Sequence, residues 1–181
     1  MTRLRAVRFF RLSCGKETRN LFPAWNSPAR TRRASTTSWD TDTIRTAITA
    51  AETGHLLLSS LHTIGAANTI DRIVDAFPAQ QQGQIRVQLS MVLKAVVSQR
   101  LVPATDGSRL PVFEVMSVNP AIQNMIRDGR THQIDNVIYG GSDKTMMCMD
   151  TELQRLFREG RITKDTALIY AANPEILAKR I

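Results

Sequence analysis

The 39 residues from Asp40 to Pro78, DTDTIRTAITAAETGHLLLSSLHTIGAANTIDRIVDAFP, constrain this chain more than any other stretch. Ile44, Ala47, Ile48 and Ala51 recur at i, i+3, i+4 and i+7, which predicts a helix with one apolar face. Gly54 stands where a helix C-terminus needs a residue that tolerates positive φ. Leu56, Leu57, Leu58 and Leu61 then form a short apolar run, the pattern of a strand covered on both faces in a parallel sheet. A second helix follows through Ala67, Ile70, Ile73, Val74 and Phe77, and Pro78 stops it. The pattern is helix, buried strand, helix, with His55 and His62 at the two ends of the strand.

Two histidines seven residues apart on a period-two strand point to opposite faces, so they make no compact two-histidine metal site. On the residues alone they are satisfied or exposed histidines. No other metal-binding pattern is present. Cys14 and Cys148 lie far apart, which fits a reducing compartment and excludes a cysteine-based zinc site.

The chain has 181 residues, enough for one domain with a real core. Its 43% apolar and 22% charged residues give a globular profile. No apolar run approaches the length of a membrane span. The net charge of +8 invites a nucleic-acid reading, but the charge is not distributed. Residues 1–39 hold nine bases and one acid, and the remaining fifteen bases are matched by fifteen acids over residues 40–181. The body therefore carries no basic face implied by composition.

Beyond Pro78, Ala79–Val97 reads as a long helix with Ile85, Leu89, Val92, Leu93 and Val96 on its apolar face. Val96–Val102 and Leu110–Met116 read as the strands of a hairpin whose turn has Asp106-Gly107 at its tip. Asn119-Pro120 is an N-cap followed by proline at the first helical position, opening a short helix over Ala121, Ile122, Gln123, Asn124, Met125, Ile126 and Arg127. By itself this is an ordinary amphipathic helix with Ile122, Met125 and Ile126 inward. Ser142 can cap a helix running to Glu159, with Met146, Met149, Leu153, Leu156 and Phe157 on one face and Gly160 just past its end. That methionine stripe is core at helical spacing. A capped helix over Lys164–Ala172 and a last short one from Asn173-Pro174 complete the chain.

TAAETGHLLLSSLHT followed by the TIDRIVDAFP segment resembles the His box of the secretion and pilus motor ATPases, RecA-like hexameric enzymes. AQQQGQIRVQLS, VLKAVVSQRLVP and the C-terminal residues extend the resemblance over about 140 residues. The assembly branch of that family usually carries four cysteines near the hairpin. Their absence here, and the likeness of Ala121–Arg127 to the A-I-R-N-L-I-R motif of the twitching-motility retraction ATPases, favour the retraction branch. Gln123 replaces an arginine of that motif and Met125 a leucine. The resemblance implies an α/β fold: part of a RecA-like P-loop NTPase core over residues 40–117, lacking the P-loop half, and a helical C-terminal subdomain over 118–181. It also implies ATP and Mg in the intact enzyme, a homo-hexamer, and contact with pilus platform proteins at the cytoplasmic base of the inner membrane. By that likeness His62 is the nucleotide-sensing histidine, Thr63 stands beside it as a weaker nucleotide contact, and His55 is structural or coupling.

No GxxxxGK[ST] sequence occurs in the chain, and Ser13-Cys14-Gly15-Lys16-Glu17 lacks both the upstream glycine and the terminal hydroxyl. The likeness starts just after the family's Walker B element, so this chain is expected to be inactive alone. Residues 1–39 compare with a transit peptide, with a basic arm for nucleic acid or acidic lipid, or with sequence foreign to the family from a misjoined start. Disorder is expected over residues 12–39, and the strand at Leu56–Leu61 is expected to lose neighbours or become an edge. The alternatives to a retraction motor are a secretion or pilus assembly ATPase and a non-catalytic module that docks on intact motor subunits.

Overall fold

A computed structural model describes residues 9–12, 31–34, 40–140 and 145–181. Strands β1 (Phe9–Leu12) and β2 (Thr31–Ala34) precede helix α1 (Thr41–Glu52), strand β3 (Leu56–Ser59), and helices α2 (Ala66–Asp75) and α3 (Ala79–Val92). Strands β4 (Leu93–Pro103) and β5 (Arg109–Ser117) form a hairpin. Helices α4 (Pro120–Arg127), α5 (Ile134–Tyr139), α6 (Met149–Arg158), α7 (Lys164–Tyr170) and α8 (Pro174–Ala178) complete the described fold. The five strands make one sheet in the order β2-β3-β1-β4-β5.

The apolar spacing of the Asp40–Pro78 stretch produces what it predicts. Ile44, Ala47, Ile48 and Ala51 are the buried residues of α1, and Asp40 caps it by accepting from the Thr43 N–H at 2.8 Å. At its other end Gly54 takes φ +92°. The Gly54 N–H donates to Ala51 O and the His55 N–H to Ala50 O, the paired bonds of a Schellman ending. The same ending closes α4 through Gly129 and α6 through Gly160.

The sheet departs from expectation in three ways. β3 is neither an edge nor part of an all-parallel sheet: it pairs parallel with β2 and antiparallel with β1. It is also not covered evenly, since Leu57 and Ser59 are buried while Leu56 and Leu58 are half-buried. Thr31–Ala34 and Leu12, within the stretch expected to be disordered, are paired strand. The physical reason is the ladder: a central strand carries N–H and C=O groups on both sides, and a segment that reaches them satisfies them whatever its side-chain pattern. Residues 13–30 and 35–39 lie outside the described residues.

The helix expected over Ala79–Val97 ends at Val92, and Leu93 turns extended at φ −66°, ψ 131° with no intervening loop. Leu93 and Val96 are buried as expected, but as strand residues. β4 then pairs with β5 residue by residue from Ala95↔Ser117 to Pro103↔Arg109. Its turn has Gly107 at φ +81° and the Asp106 carboxylate accepting from the Ser108 N–H at 2.8 Å. The helix expected from Ser142 to Glu159 begins only at Met149, because Met147 exchanges two backbone hydrogen bonds with Val115 of β5, at 2.8 and 2.9 Å. Ser142 itself lies outside the described residues. α7 stops at Tyr170, two residues short of Ala172.

Two clusters of buried side chains hold the chain together. One joins α1, β3, α2, α3, the start of β4, α4 and α5. The other joins Val102 and Val112 at the far end of the hairpin to α6, α7 and α8. The hairpin is therefore shared, with Val96 and Met116 at one end in the first cluster and Val102 and Val112 at the other end in the second. Ile122 and Ile126 of α4 and Ile134 and Ile138 of α5 belong to the first cluster.

Candidate functional site

His62 and Thr63 lie beyond the C-terminal end of β3, in the six-residue loop from Ser60 to Gly65 that enters α2. His62 and Ile64 are exposed, while Thr63 and Gly65 are half-buried. Gly65 adopts φ +84° as the residue before α2, a conformation that L side chains rarely hold. Three groups of the loop are tied to α2. Asn68 Nδ2 donates to Ile64 O at 2.7 Å, and Thr69 Oγ1 donates to Gly65 O at 2.8 Å. Thr63 Oγ1 lies 2.6 Å from Thr69 Oγ1. A hydroxyl has one proton, and Thr69 spends its own on Gly65 O, so Thr63 is the donor in that pair.

The first N–H of α2, that of Ala66, donates to Glu114 Oε1 at 3.0 Å. Glu114 comes from β5 and is 7% exposed. Its carboxylate thus meets the positive end of the α2 dipole. Across the hairpin it stands opposite Ser98, which is 1% exposed and whose hydroxyl makes no hydrogen bond among the described residues.

His55 is not brought to this loop. It sits at the other end of β3, where its Nδ1 lies 3.2 Å from Ala50 O and 3.1 Å from Thr53 Oγ1. Backbone and ring both address the last turn of α1. Both histidines lie outside β3, at its opposite ends, so position along the chain and not strand parity separates them.

The segment Ala121–Arg127 forms α4, with Asn119 Oδ1 accepting from the Ile122 N–H at 3.0 Å. Ile122 and Ile126 are fully buried, and Gln123 and Met125 are half-buried. Ala121, Asn124 and Arg127 line the exposed face. Arg127 pairs with no acid among the described residues. Behind α4, Asp71 of α2 accepts from Thr131 Oγ1 at 2.8 and 3.0 Å and lies 3.6 Å from Arg86 of α3.

The residues present do not make a complete nucleotide site. A phosphate cradle needs several backbone N–H groups converging beside a lysine. Here the proton of Thr63 is committed inward, the Ala66 N–H is taken by Glu114, and His62 and Ile64 are the side chains facing out. No group of three or more metal-ligating side chains exists among the described residues. No helix among them is long and apolar enough to cross a membrane.

Sequence reasoning passed over Glu114, Thr69 and Asp150. Glu114 was legible: in the alternation of β5 it shares the inward parity of Val112 and Met116, all three buried. Asp150 sits on the buried face of α6 with Met149, Leu153 and Leu156. Thr69 carried no signal beyond its place between Ala66 and Ile70, because its bonds depend on where the loop runs.

A mixed five-stranded sheet flanked by helices makes the described residues an α/β fold. Residues 39–160 match the family described as Type II/IV secretion system protein, and the chain belongs to that family. It is 45% identical over 140 residues to the "Twitching motility protein" of Neisseria gonorrhoeae, covering 77% of this chain and 37% of the relative. It is 43% identical over 136 residues to the "Type IV pilus retractation ATPase PilT" of Pseudomonas aeruginosa, covering 75% of this chain and 40% of the relative. The crystal structure of the pilus retraction motor PilT with bound ADP superposes with a TM-score of 0.69 at 38% identity, over 78% of this chain and 40% of that one. The Legionella pneumophila ATPase DotB, at 22% identity and a TM-score of 0.66, shares the fold. The chain thus spans about two fifths of the length of the curated relatives it matches.

Proposed function

We propose that residues 40–181 serve as the C-terminal part of a pilus-retraction motor ATPase. The observation that carries this reading is the exposed His62 on an anchored loop at the C-terminal end of β3, in a chain so similar to a retraction motor. In this role His62 contacts the terminal phosphate of ATP held, with Mg, by a P-loop half. Thr63, with its proton turned inward, braces the loop and makes no donor contact to phosphate. His55 couples α1 to β3. The exposed edge of α4 formed by Ala121, Asn124 and Arg127 faces a neighbouring subunit of a homo-hexamer, and the assembly works against platform proteins on the cytoplasmic side of the inner membrane.

This chain by itself turns over no ATP, since it has no Gly-rich loop ending in lysine. That same feature favours a second reading, a non-catalytic module that docks on intact motor subunits. One experiment separates them. Residues 40–181 are joined in place of the matching segment of the gonococcal relative, and ATP hydrolysis and assembly are measured. The motor reading expects turnover that falls by roughly a hundredfold in His62→Ala, the scale for losing one donor to developing charge. Turnover unchanged by His62→Ala removes the sensing role. A chimera that assembles with native subunits but is inactive supports the docking module.

A further inference from the structure

Two buried residues, Thr69 and Glu114, hold the loop that carries His62. Thr69 is fully buried one turn into α2. Its hydroxyl takes the proton of Thr63 at 2.6 Å and gives its own to Gly65 O at 2.8 Å, and its backbone N–H reaches the same carbonyl at 3.3 Å. One side chain therefore fixes both the residue after His62 and the residue before α2. Glu114 fixes the next position by accepting the Ala66 N–H. It arrives from β5, a strand separated from the loop by 48 residues of sequence.

The two anchors differ in kind. Thr69 closes a local loop within one helical turn, using the back-bond to the i−4 carbonyl open to threonine. Glu114 ties that turn to the sheet, and its charge is stabilised by the helix end it caps. Between them they leave His62 and Ile64, the latter 55% exposed, as the side chains that the loop turns outward.

We propose that Thr69 and Glu114 are positioning residues for His62, fixing the 62–65 backbone so that the imidazole is presented from one place. The inference rests on the reading of His62 as the phosphate-contacting group. Its test needs no nucleotide and so stands apart from that reading.

Amide relaxation and hydrogen exchange are measured by NMR on the 181-residue chain and on Thr69→Val, Thr69→Ser, Glu114→Gln and Glu114→Ala. Valine keeps the shape of threonine and removes the hydroxyl, whereas serine keeps the hydroxyl. In Thr69→Val the order parameters of Thr63, Ile64 and Gly65 are expected to fall from about 0.85 to below about 0.6. The Ala66 amide, whose acceptor is Glu114, is expected to keep its protection in that variant. Amides of α1 stay unchanged, and Thr69→Ser restores the parent values. Glu114→Gln, which keeps an acceptor oxygen, retains most of the Ala66 protection, and Glu114→Ala loses it. Should Glu114→Ala fail to fold, the Thr69→Val and Thr69→Ser pair decides alone. A loop that stays rigid in Thr69→Val, or that loosens equally in Thr69→Ser, overturns the proposal. If the chimera instead shows no dependence on His62 while these anchors behave as expected, the sensing role falls and the anchoring stands.

Discussion

Tyr139 of α5 donates its hydroxyl to Asp150 Oδ2 in the first turn of α6. Asp150 is 4% exposed, and the same carboxylate accepts the Ala172 N–H at 2.7 Å and the Asn173 N–H at 3.0 Å. One buried side chain thus joins the end of the first packing cluster to the turn between α7 and α8. α7 ends at Tyr170, and the Ala172 and Asn173 amides that would continue it bond to Asp150 instead.

That arrangement predicts an alkaline weakness. Burial pushes the Tyr139 phenol above its ordinary range, and its hydrogen bond to the Asp150 carboxylate adds to the shift. A raised phenol contributes stability that is complete while the unfolded tyrosine is still protonated, below about pH 10. As the pH rises past that value the unfolded chain loses its proton first, and the contribution is lost towards the folded pKa. Urea unfolding between pH 8 and 11 should show stability falling above pH 10. The fall should be shallower in Tyr139→Phe, which is less stable than the parent at pH 8. Equal slopes for parent and variant would contradict the assignment.

The two histidines should separate in stability measurements. His55→Ala removes a ring that lies within hydrogen-bond distance of Ala50 O and Thr53 Oγ1 at the end of α1, and a cost of about 0.5–1.5 kcal/mol follows. His62→Ala removes an exposed side chain, so its effect should stay within about 0.5 kcal/mol. Denaturant melts of both variants check this, and a larger cost for His62→Ala would mean that its ring packs.

Ser98 buries a hydroxyl with no hydrogen bond among the described residues, opposite Glu114 on the neighbouring strand. Deleting an unpaired buried hydroxyl relieves its desolvation, worth about 1 kcal/mol or more. Ser98→Ala is therefore expected to be neutral or stabilising in a thermal melt. A loss of more than about 1 kcal/mol would show that the hydroxyl supports Glu114.

β1 separates β3 from β4, and β2 covers the other side of β3. Deleting residues 1–39 removes both, exposing two sides of β3 and one of β4. Unpaired ladders of this kind join other chains. Sedimentation velocity of the 40–181 chain should show aggregates absent from the full chain, and a single monodisperse species would count against the pairing.

Particular residues show what could be read in advance. Ile44, Ala47, Ile48 and Ala51 face the core because their spacing allows no other helical face inward, and Gly54 ends α1 because a left-handed residue is needed there. Asn119-Pro120 and Thr163 start their helices by side-chain chemistry that is local to each. Leu93 was read correctly as buried and wrongly as helix, and Val96 was read both as the helix's last apolar residue and as the first of the strand to which it belongs. A run of 89, 92, 93 and 96 satisfies a helical face, and 93, 96 and 98 equally suit the inner side of a bulging strand, so burial was legible and the element was not. Met147 was placed in a helix by its neighbours' spacing, yet β5 offers it a backbone partner that spacing cannot see.

The sequence by itself determined the family, the helix–strand–helix unit around the histidines, the hairpin and the capped C-terminal helices. Each rests on contacts within a turn or two of the chain, where residue type and spacing settle the outcome. Only the tertiary structure decided that Glu114 meets Ala66, that Asp150 gathers Tyr139, Ala172 and Asn173, and that β1 and β2 flank β3. Those bonds form between groups far apart in sequence, and a carboxylate or an unpaired ladder accepts whichever donor the packing brings within about 3 Å.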